Sequence, residues 1–269
     1  VYNWLIQPIR DELEQSSIQT LVFVLDGALR SVPMSVLYDG ESYLIERYSI
    51  ALTPGLQLLE GSSLRDRPLE VLLGGVSEPN LGAAALPGVL DEISKIQAAL
   101  PGRVLLNQSF TSEALHDAVN ATAYPIVHLA THGFFSSNLD DTYILTWGDR
   151  LTLNEFNDLI KTSDINRRRP IELLVLSACV TAVEDGDGRA LLGLAGMAVR
   201  AGARSTIASL WQANDVATAQ LMTQFYSELA AHSVTKAEAL RRAQVALIQS
   251  PDFNQPFFWS LFVLVGNWL

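Results

Sequence analysis

The sequence predicts an α/β protein built on a mostly parallel sheet, and three observations predict it. From about residue 69 onward, strand-like apolar runs alternate with helical patterns, the order that gives parallel strands joined by helical crossovers. Two runs, Pro125–Thr131 and Ile171–Leu176 (interrupted only by Glu172), are apolar without a period of two. That is the pattern of strands covered on both faces. Each run stops at a reactive residue among small ones: His132-Gly133 after Ala130-Thr131, and Cys179 after Ser177-Ala178. Open α/β sheets bind ligands just beyond the carboxyl ends of their strands.

Composition narrows the class. The chain has 269 residues, 49% of them apolar, enough for one large α/β domain or two small ones. No run reaches the roughly 18–20 apolar residues of a membrane span, so no membrane partner is expected. A net charge of −11 argues against an electrostatic grip on nucleic acid. The single cysteine forms no internal disulfide, which fits a reducing, cytoplasmic compartment. The four histidines, His116, His128, His132 and His232, do not recur with carboxylates at ligand spacing, so no metal is expected, and no motif calls for a cofactor. The chain opens at Val1 without a signal peptide and reads as a piece of a longer protein with an amino-terminal neighbour.

In chain order, residues 2–15 read as a helix and Thr20–Leu25 as a strand closed by Asp26-Gly27. Pro33–Leu37 and Tyr43–Leu52 flank the turn signal Asp39-Gly40, which predicts a β-hairpin. Residues 53–68 are irregular. Residues 1–68 thus form an extension packed on the core, and 69–269 form the core itself, the two making one domain. Leu69–Leu73 is a strand, 76–87 a small-residue loop, and 88–100 a helix with Leu90, Ile93, Ile96 and Leu100 on one side. Strand 104–106 and helix 111–119 follow. After the His132 strand come a loop over 134–140, a strand over 143–146, and a helix over 153–160 opened by the capping box Thr152/Glu155. Residues 161–170 read as a polar surface loop. The Cys179 strand leads into an acidic glycine-rich loop, 184–188, then a helix over 190–201 and a strand over 205–210. Helix 215–230 has Asn214 as N-cap and Met222, Phe225, Tyr226 and Leu229 on one side. Thr235 and Glu238 form a second capping box for helix 236–249, and Phe257–Val265 closes the sheet.

If the two reactive strands are neighbours, a thiol and an imidazole meet at one cleft edge, the arrangement a cysteine nucleophile needs. A lone cysteine is as often a small buried hydrophobe, and a lone loop histidine is seldom a catalyst. The weight comes from the pair and from the small residues that leave a substrate room. A thiolate needs a base or cation beside it at neutral pH. His132 suits that role and would then protonate the leaving amine. Backbone N–H groups of Gly133 and Cys179 are the expected oxyanion donors. Spacing reveals no third catalytic side chain.

Two blocks, Val127-His128-Leu129-Ala130-Thr131-His132-Gly133 and Leu176-Ser177-Ala178-Cys179-Val180-Thr181-Ala182, resemble the signature blocks of CHAT domains, caspase- and separase-like cysteine proteases often carried behind tetratricopeptide repeats. The resemblance extends over nearly the whole chain. It takes in Val22-Phe23-Val24-Leu25-Asp26-Gly27, Leu86-Pro87-Gly88, Gly193-Leu194-Ala195, Ala201-Gly202-Ala203-Arg204-Ser205, Ser209-Leu210-Trp211 and Val265-Gly266-Asn267-Trp268. His132 stands 47 positions before Cys179, and the caspase histidine stands roughly 50 before its cysteine. The resemblance implies a caspase-like three-layer fold, with a mostly parallel six-stranded sheet flanked by helices and an amino-terminal helix and hairpin extension. It also implies a His132–Cys179 dyad acting on protein or peptide substrates, with regulation by an amino-terminal repeat region or partner. Val180 departs from the family's usual glutamine.

Substrate contacts are expected from the loops beyond neighbouring strands, 76–87 and 209–215, which contain Glu78, Trp211 and Asp215 and neither lysine nor arginine. An acidic pocket of this kind would favour a basic residue before the cut. The bland alternatives are that Asp215 caps its own helix and Trp211 packs. The 184–188 loop reads as solvated, with capacity for a basic substrate or calcium. The run Arg167-Arg168-Arg169 reads as a solvated loop or a processing site. The chain lacks G-x-S-x-G, a P-loop and a complete G-x-G-x-x-G. The rival to an enzyme is a non-catalytic scaffold of the same fold.

Overall fold

A computed structural model describes residues 1–53, 55, 64, 68–134, 141–167, 170–180, 198–199, 202–232 and 234–269. Its elements in order are α1 (Tyr2–Leu5), a 3-10 turn (Gln7–Ile9), α2 (Arg10–Gln15), β1 (Thr20–Phe23), α3 (Leu44–Arg47), β2 (Ser49–Leu52), β3 (Val71–Gly75), α4 (Gly88–Ala99), β4 (Gly102–Leu106), α5 (Ser112–Ala121) and β5 (Ile126–Phe134). There follow β6 (Tyr143–Thr146), β7 (Asp149–Thr152), α6 (Leu153–Arg167), β8 (Leu173–Val180), β9 (Ser205–Ser209), α7 (Asp215–His232), α8 (Lys236–Ile248), α9 (Pro256–Trp259) and β10 (Phe262–Gly266).

One sheet runs in the order β1-β2-β10-β9-β8-β5-β3-β4. The six strands from β10 to β4 are the expected core, and β2 and β1 of the amino-terminal region continue the same sheet beyond β10. β9, β8, β5, β3 and β4 are mutually parallel, whereas β10 is antiparallel to β9 and β2 runs with β10. The central strands are buried because both faces are covered. Gly75 sits under Val89 and Ile93 of α4, while its neighbour Gly74 sits on the opposite face under Phe110, which leads into α5. α4, α7 and α8 pack side by side on the first face, and α5 and α6 pack together on the second, giving three layers. The residues Met222, Phe225, Tyr226 and Leu229 of α7 are all buried, as their spacing requires.

Several local expectations change. The 2–15 helix breaks into short pieces at the 3-10 turn around Pro8, whose ring removes a donor. The Asp39-Gly40 turn exists, with Asp39 Oδ1 accepting from the N–H groups of Glu41 and Ser42, but its arms meet only at the bridge Tyr38–Tyr43. The rest of the expected hairpin is a 3-10 turn, α3 and β2. α6 continues to Arg167 where a loop was expected. The last strand starts only at Phe262, after α9. The Thr152/Glu155 box forms in both directions. At the second, Thr235 accepts from Glu238 N–H, while the Glu238 carboxylate goes to Arg241, Arg242 and Ser49. The acidic loop 184–188, most of the 190–201 helix, residues 135–140 and Arg168-Arg169 lie outside the described residues.

Candidate active site

β5 and β8 are adjacent parallel strands in strict register, with His132 paired to Cys179 and Gly133 to Val180. In-register partners of a parallel ladder occupy the same face, with neighbouring strands about 4.8 Å apart. Positions 132 and 179 are thus side by side at the carboxyl end of the sheet. β5 does not stop at the histidine as expected but runs on to Phe134. There Gly133 and Phe134 pair with Ile144 and Tyr143 of β6, so Gly133 has a strand on either side.

His132 is 5% exposed. Its Nε2 lies 2.8 Å from the carbonyl oxygen of Ala84. A carbonyl only accepts, so Nε2 carries a proton, and in the neutral ring Nδ1 carries the lone pair. Nδ1 is buried and has no hydrogen-bond partner among the described residues. A bare ring nitrogen is what a base for a neighbouring thiol requires. The group that orients it is a main-chain carbonyl in the 76–87 loop, which no side-chain pattern could nominate.

Beneath the pair lies a second polar group. His128, four residues earlier on the same face, is fully buried, as is Tyr226, and Glu92 nearly so. His128 Nδ1 and Tyr226 Oη are 3.1 Å apart. Nε2 lies 3.0 Å from Glu92 Oε1, out of line for a hydrogen bond. Burial, then the Glu92 charge, pushes the Tyr226 hydroxyl well above its ordinary pKa, so it stays neutral. The contact joins β5 to α4 and α7 across long sequence separations, and sequence spacing could not show it. Among the described residues no three His, Cys, Asp or Glu side chains gather in a metal-binding group.

The other nominated residues are placed as follows. Asn214 caps α7, its Oδ1 accepting from Ala217 N–H at 3.0 Å. Asp215 does not turn back on its own helix. Its Oδ2 accepts from Gly88 N–H at 2.6 Å, so one carboxylate ties the amino ends of α4 and α7 together, where both helix dipoles favour it. A Cβ at Gly88 would stand 2.6 Å from that carboxylate. Trp211 donates from Nε1 to Phe257 O at 3.1 Å and stacks on the Phe257 ring, which is 53% exposed. Sequence reading passed over Phe257, whose cue was only its place in an aromatic run. Glu78 is exposed, with Oε1 accepting from Asn107 Nδ2 at 3.1 Å.

A mostly parallel sheet covered by helices on both faces is the caspase-like fold. The chain belongs to the CHAT domain family, whose sequence model matches residues 1–267. Solved structures agree on the fold. The complex of the pro- and mature domains of Porphyromonas gingivalis RgpB aligns with a TM-score of 0.64 at 10% identity, covering 100% of this chain and 69% of that one. The Arg-specific cysteine proteinase gingipain R aligns at 0.62 and 11% identity, covering 100% and 68%. The Saccharomyces cerevisiae separase–securin complex aligns at 0.59 and 13%, covering 97% of this chain and 16% of that one. At such identities the likeness carries the fold alone. No curated protein sequence matches the chain. Among the described residues no helix is long and apolar enough to cross a membrane.

Proposed function

We propose that this domain is a cysteine endopeptidase working through a His132–Cys179 dyad. The observation that supports it best is the in-register pairing of the two residues on β5 and β8, with the His132 ring held at Nε2 and Nδ1 without a partner among the described residues. In this reading Nδ1 takes the Cys179 proton, and the thiolate adds to the scissile carbonyl carbon. The tetrahedral oxyanion falls to main-chain N–H groups at this edge; the sequence nominates Cys179 and Gly133, of which Gly133 is already enclosed between β6 and β8. His132 then returns the proton to the leaving amine, the C–N bond breaks, and water hydrolyses the thioester with the same histidine as base.

The substrate is a protein or peptide chain entering over β8 and β9. Trp211 and Phe257 offer it an aromatic wall. Glu78, and Asp215 to the extent that Gly88 leaves its charge unspent, disfavour an acidic residue before the cut and favour arginine or lysine. The domain works in the cytoplasm, without cofactor or direct contact with nucleic acid or membrane, under control of an amino-terminal repeat region or a regulatory partner. A second reading, a scaffold without catalysis, is favoured by one feature: Val180 stands where the family usually carries glutamine.

A thiol-alkylating reagent and a peptide library together separate the two. The peptidase reading expects Cys179 to be alkylated much faster than a free buried thiol. It expects hydrolysis that Cys179→Ala and His132→Ala each abolish with the fold intact. Slow alkylation, together with a Cys179→Ala variant that behaves like the wild type in every cleavage assay, would leave the scaffold.

A further inference from the structure

We infer that Asn80 is a positioning residue for His132, acting through a two-residue hairpin that holds the Ala84 carbonyl in place. Residues Asn80 and Ala83 bond to each other in both directions, Asn80 N–H to Ala83 O at 3.3 Å and Ala83 N–H to Asn80 O at 2.9 Å. The two residues between them, Leu81 and Gly82, have φ of 49° and 84°. Positive φ at both central positions defines the type I′ turn of tight hairpins. Ala84, the next residue, presents its oxygen to His132 Nε2.

A hairpin of four residues does not hold its own position in space, and three sets of contacts do so here. At its base, Val76 N–H donates to Ala130 O of β5 at 3.0 Å, and Leu86 N–H closes the loop onto Ser77 O at 2.9 Å. At the flank, Asn107, itself at a φ of 50°, accepts from Ser77 N–H at 2.8 Å. At the tip stands Asn80, 8% exposed. Its Nδ2 donates to Thr146 O at 2.7 Å and its Oδ1 accepts from Gly148 N–H at 3.0 Å. Thr146 and Gly148 bound the turn between β6 and β7, and β6 is hydrogen-bonded to β5 at Gly133 and Phe134. The Asn80 amide therefore closes a ring of contacts: His132 to Ala84, the hairpin to the β6–β7 turn, and β6 back to β5 beside His132. Both amide groups are used, in opposite senses, which no other side chain of that size except an amide provides. Losing the clamp frees the Ala84 carbonyl to move, and with it the only partner of Nε2 among the described residues, so the two neutral tautomers of His132 are no longer distinguished.

The proposal rests on His132 acting as the base, and its test includes a readout that needs no substrate. Nitrogen-15 NMR of the imidazole, assigned by the signal missing in His132→Ala, reports which ring nitrogen carries the proton at a pH where the ring is neutral. The wild type is expected to show the Nε2–H form alone, and a mixed ring there already overturns the proposal. Asn80→Ala should populate both forms and lower kcat about 10- to 100-fold at little changed KM, the scale of misplacing a catalytic group by an ångström. Asn80→Asp, which keeps the acceptor for Gly148 N–H and loses the donor to Thr146 O, is expected to do the same and serves if Asn80→Ala does not fold. Leu151→Ala, which weakens buried packing in the same β6–β7 hairpin without touching the amide, separates positioning from loss of stability: its ring signature should match the wild type. A shifted ring in Leu151→Ala, or an unshifted one in a folded Asn80 variant, overturns the assignment. A ring that shifts as expected in a protein with no peptidase activity would keep the positioning and remove the peptidase reading.

Discussion

Gly88→Ala puts the junction of α4 and α7 to a quantitative test. The added Cβ would stand 2.6 Å from Asp215 Cγ and Oδ1 and 2.8 Å from Oδ2. Non-bonded carbon atoms rest at about 3.5–4.0 Å, so the carboxylate must retreat by about 1 Å. That breaks the 2.6 Å bond from Gly88 N–H, a hydrogen bond to a charged group of the kind that contributes about 1.5–3 kcal/mol. Gly88 has no positive φ, so backbone strain adds nothing, and alanine's helix preference of up to about 1 kcal/mol works the other way. The net expectation is a loss of about 1–2 kcal/mol. For a domain of this size that is a melting temperature lower by roughly 2–8 °C. The decisive form is a double-mutant cycle followed by thermal unfolding. Asp215→Ala alone should destabilise, and Gly88→Ala made in that background should be neutral or stabilising, because the clash has gone. If Gly88→Ala unfolds at the wild-type temperature, or if its cost is the same with and without the carboxylate, the junction does not work as described.

Three further outcomes are expected. The losses from Cys179→Ala and His132→Ala should not add in the double variant, since the two act as one unit; additive losses measured on one peptide would deny the dyad. Among peptides differing only at the residue before the cut, arginine or lysine should be cleaved faster than aspartate, and Glu78→Ala should narrow the difference; a preference for aspartate would refute the acidic pocket. Lys236 is fully buried, and burial, opposed by Glu172 and reinforced by Arg204, lowers its pKa from 10.5 to about 8. Between pH 8 and 10.5 the unfolded chain thus binds more protons than the folded one, so stability should rise with pH across that window, by about 3 kcal/mol at most. Denaturant titrations of Lys236→Met should lose that slope, and an unchanged slope would place its origin elsewhere.

The central strands were legible in the sequence because β3, β5 and β8 are covered on both faces and are written mostly in apolar residues. His132 and Cys179 were legible as candidates because both stand where such runs give way to small residues. Asp39-Gly40 announced a turn and nothing about its arms, and the arms became helical because β2 found its partners in β1 and β10 instead. Lys161–Arg167 is mostly polar, a composition that suits helix and loop alike, so the helical extension left no trace. The orienting group for His132 is a carbonyl, which every residue has. The His128–Glu92–Tyr226 contact spans separations of 36 and 98 residues, beyond the reach of any local period.

The reversal of β10 against β9 fixes how this domain can be handled. Because Gly266 pairs with Ser205 at the start of β9, and Asn267 N–H bonds to Arg204 O, the chain leaves the sheet at the edge opposite Cys179. Six residues of β8 separate the two edges, about 20 Å at the rise of a strand. A surface tether or fluorescent label joined after Leu269 would therefore hang behind the molecule, leaving the edge at Cys179 facing solution. Immobilised in that orientation, the domain could be offered whole proteins rather than short peptides, which is the form in which the proposed peptidase activity is best tested.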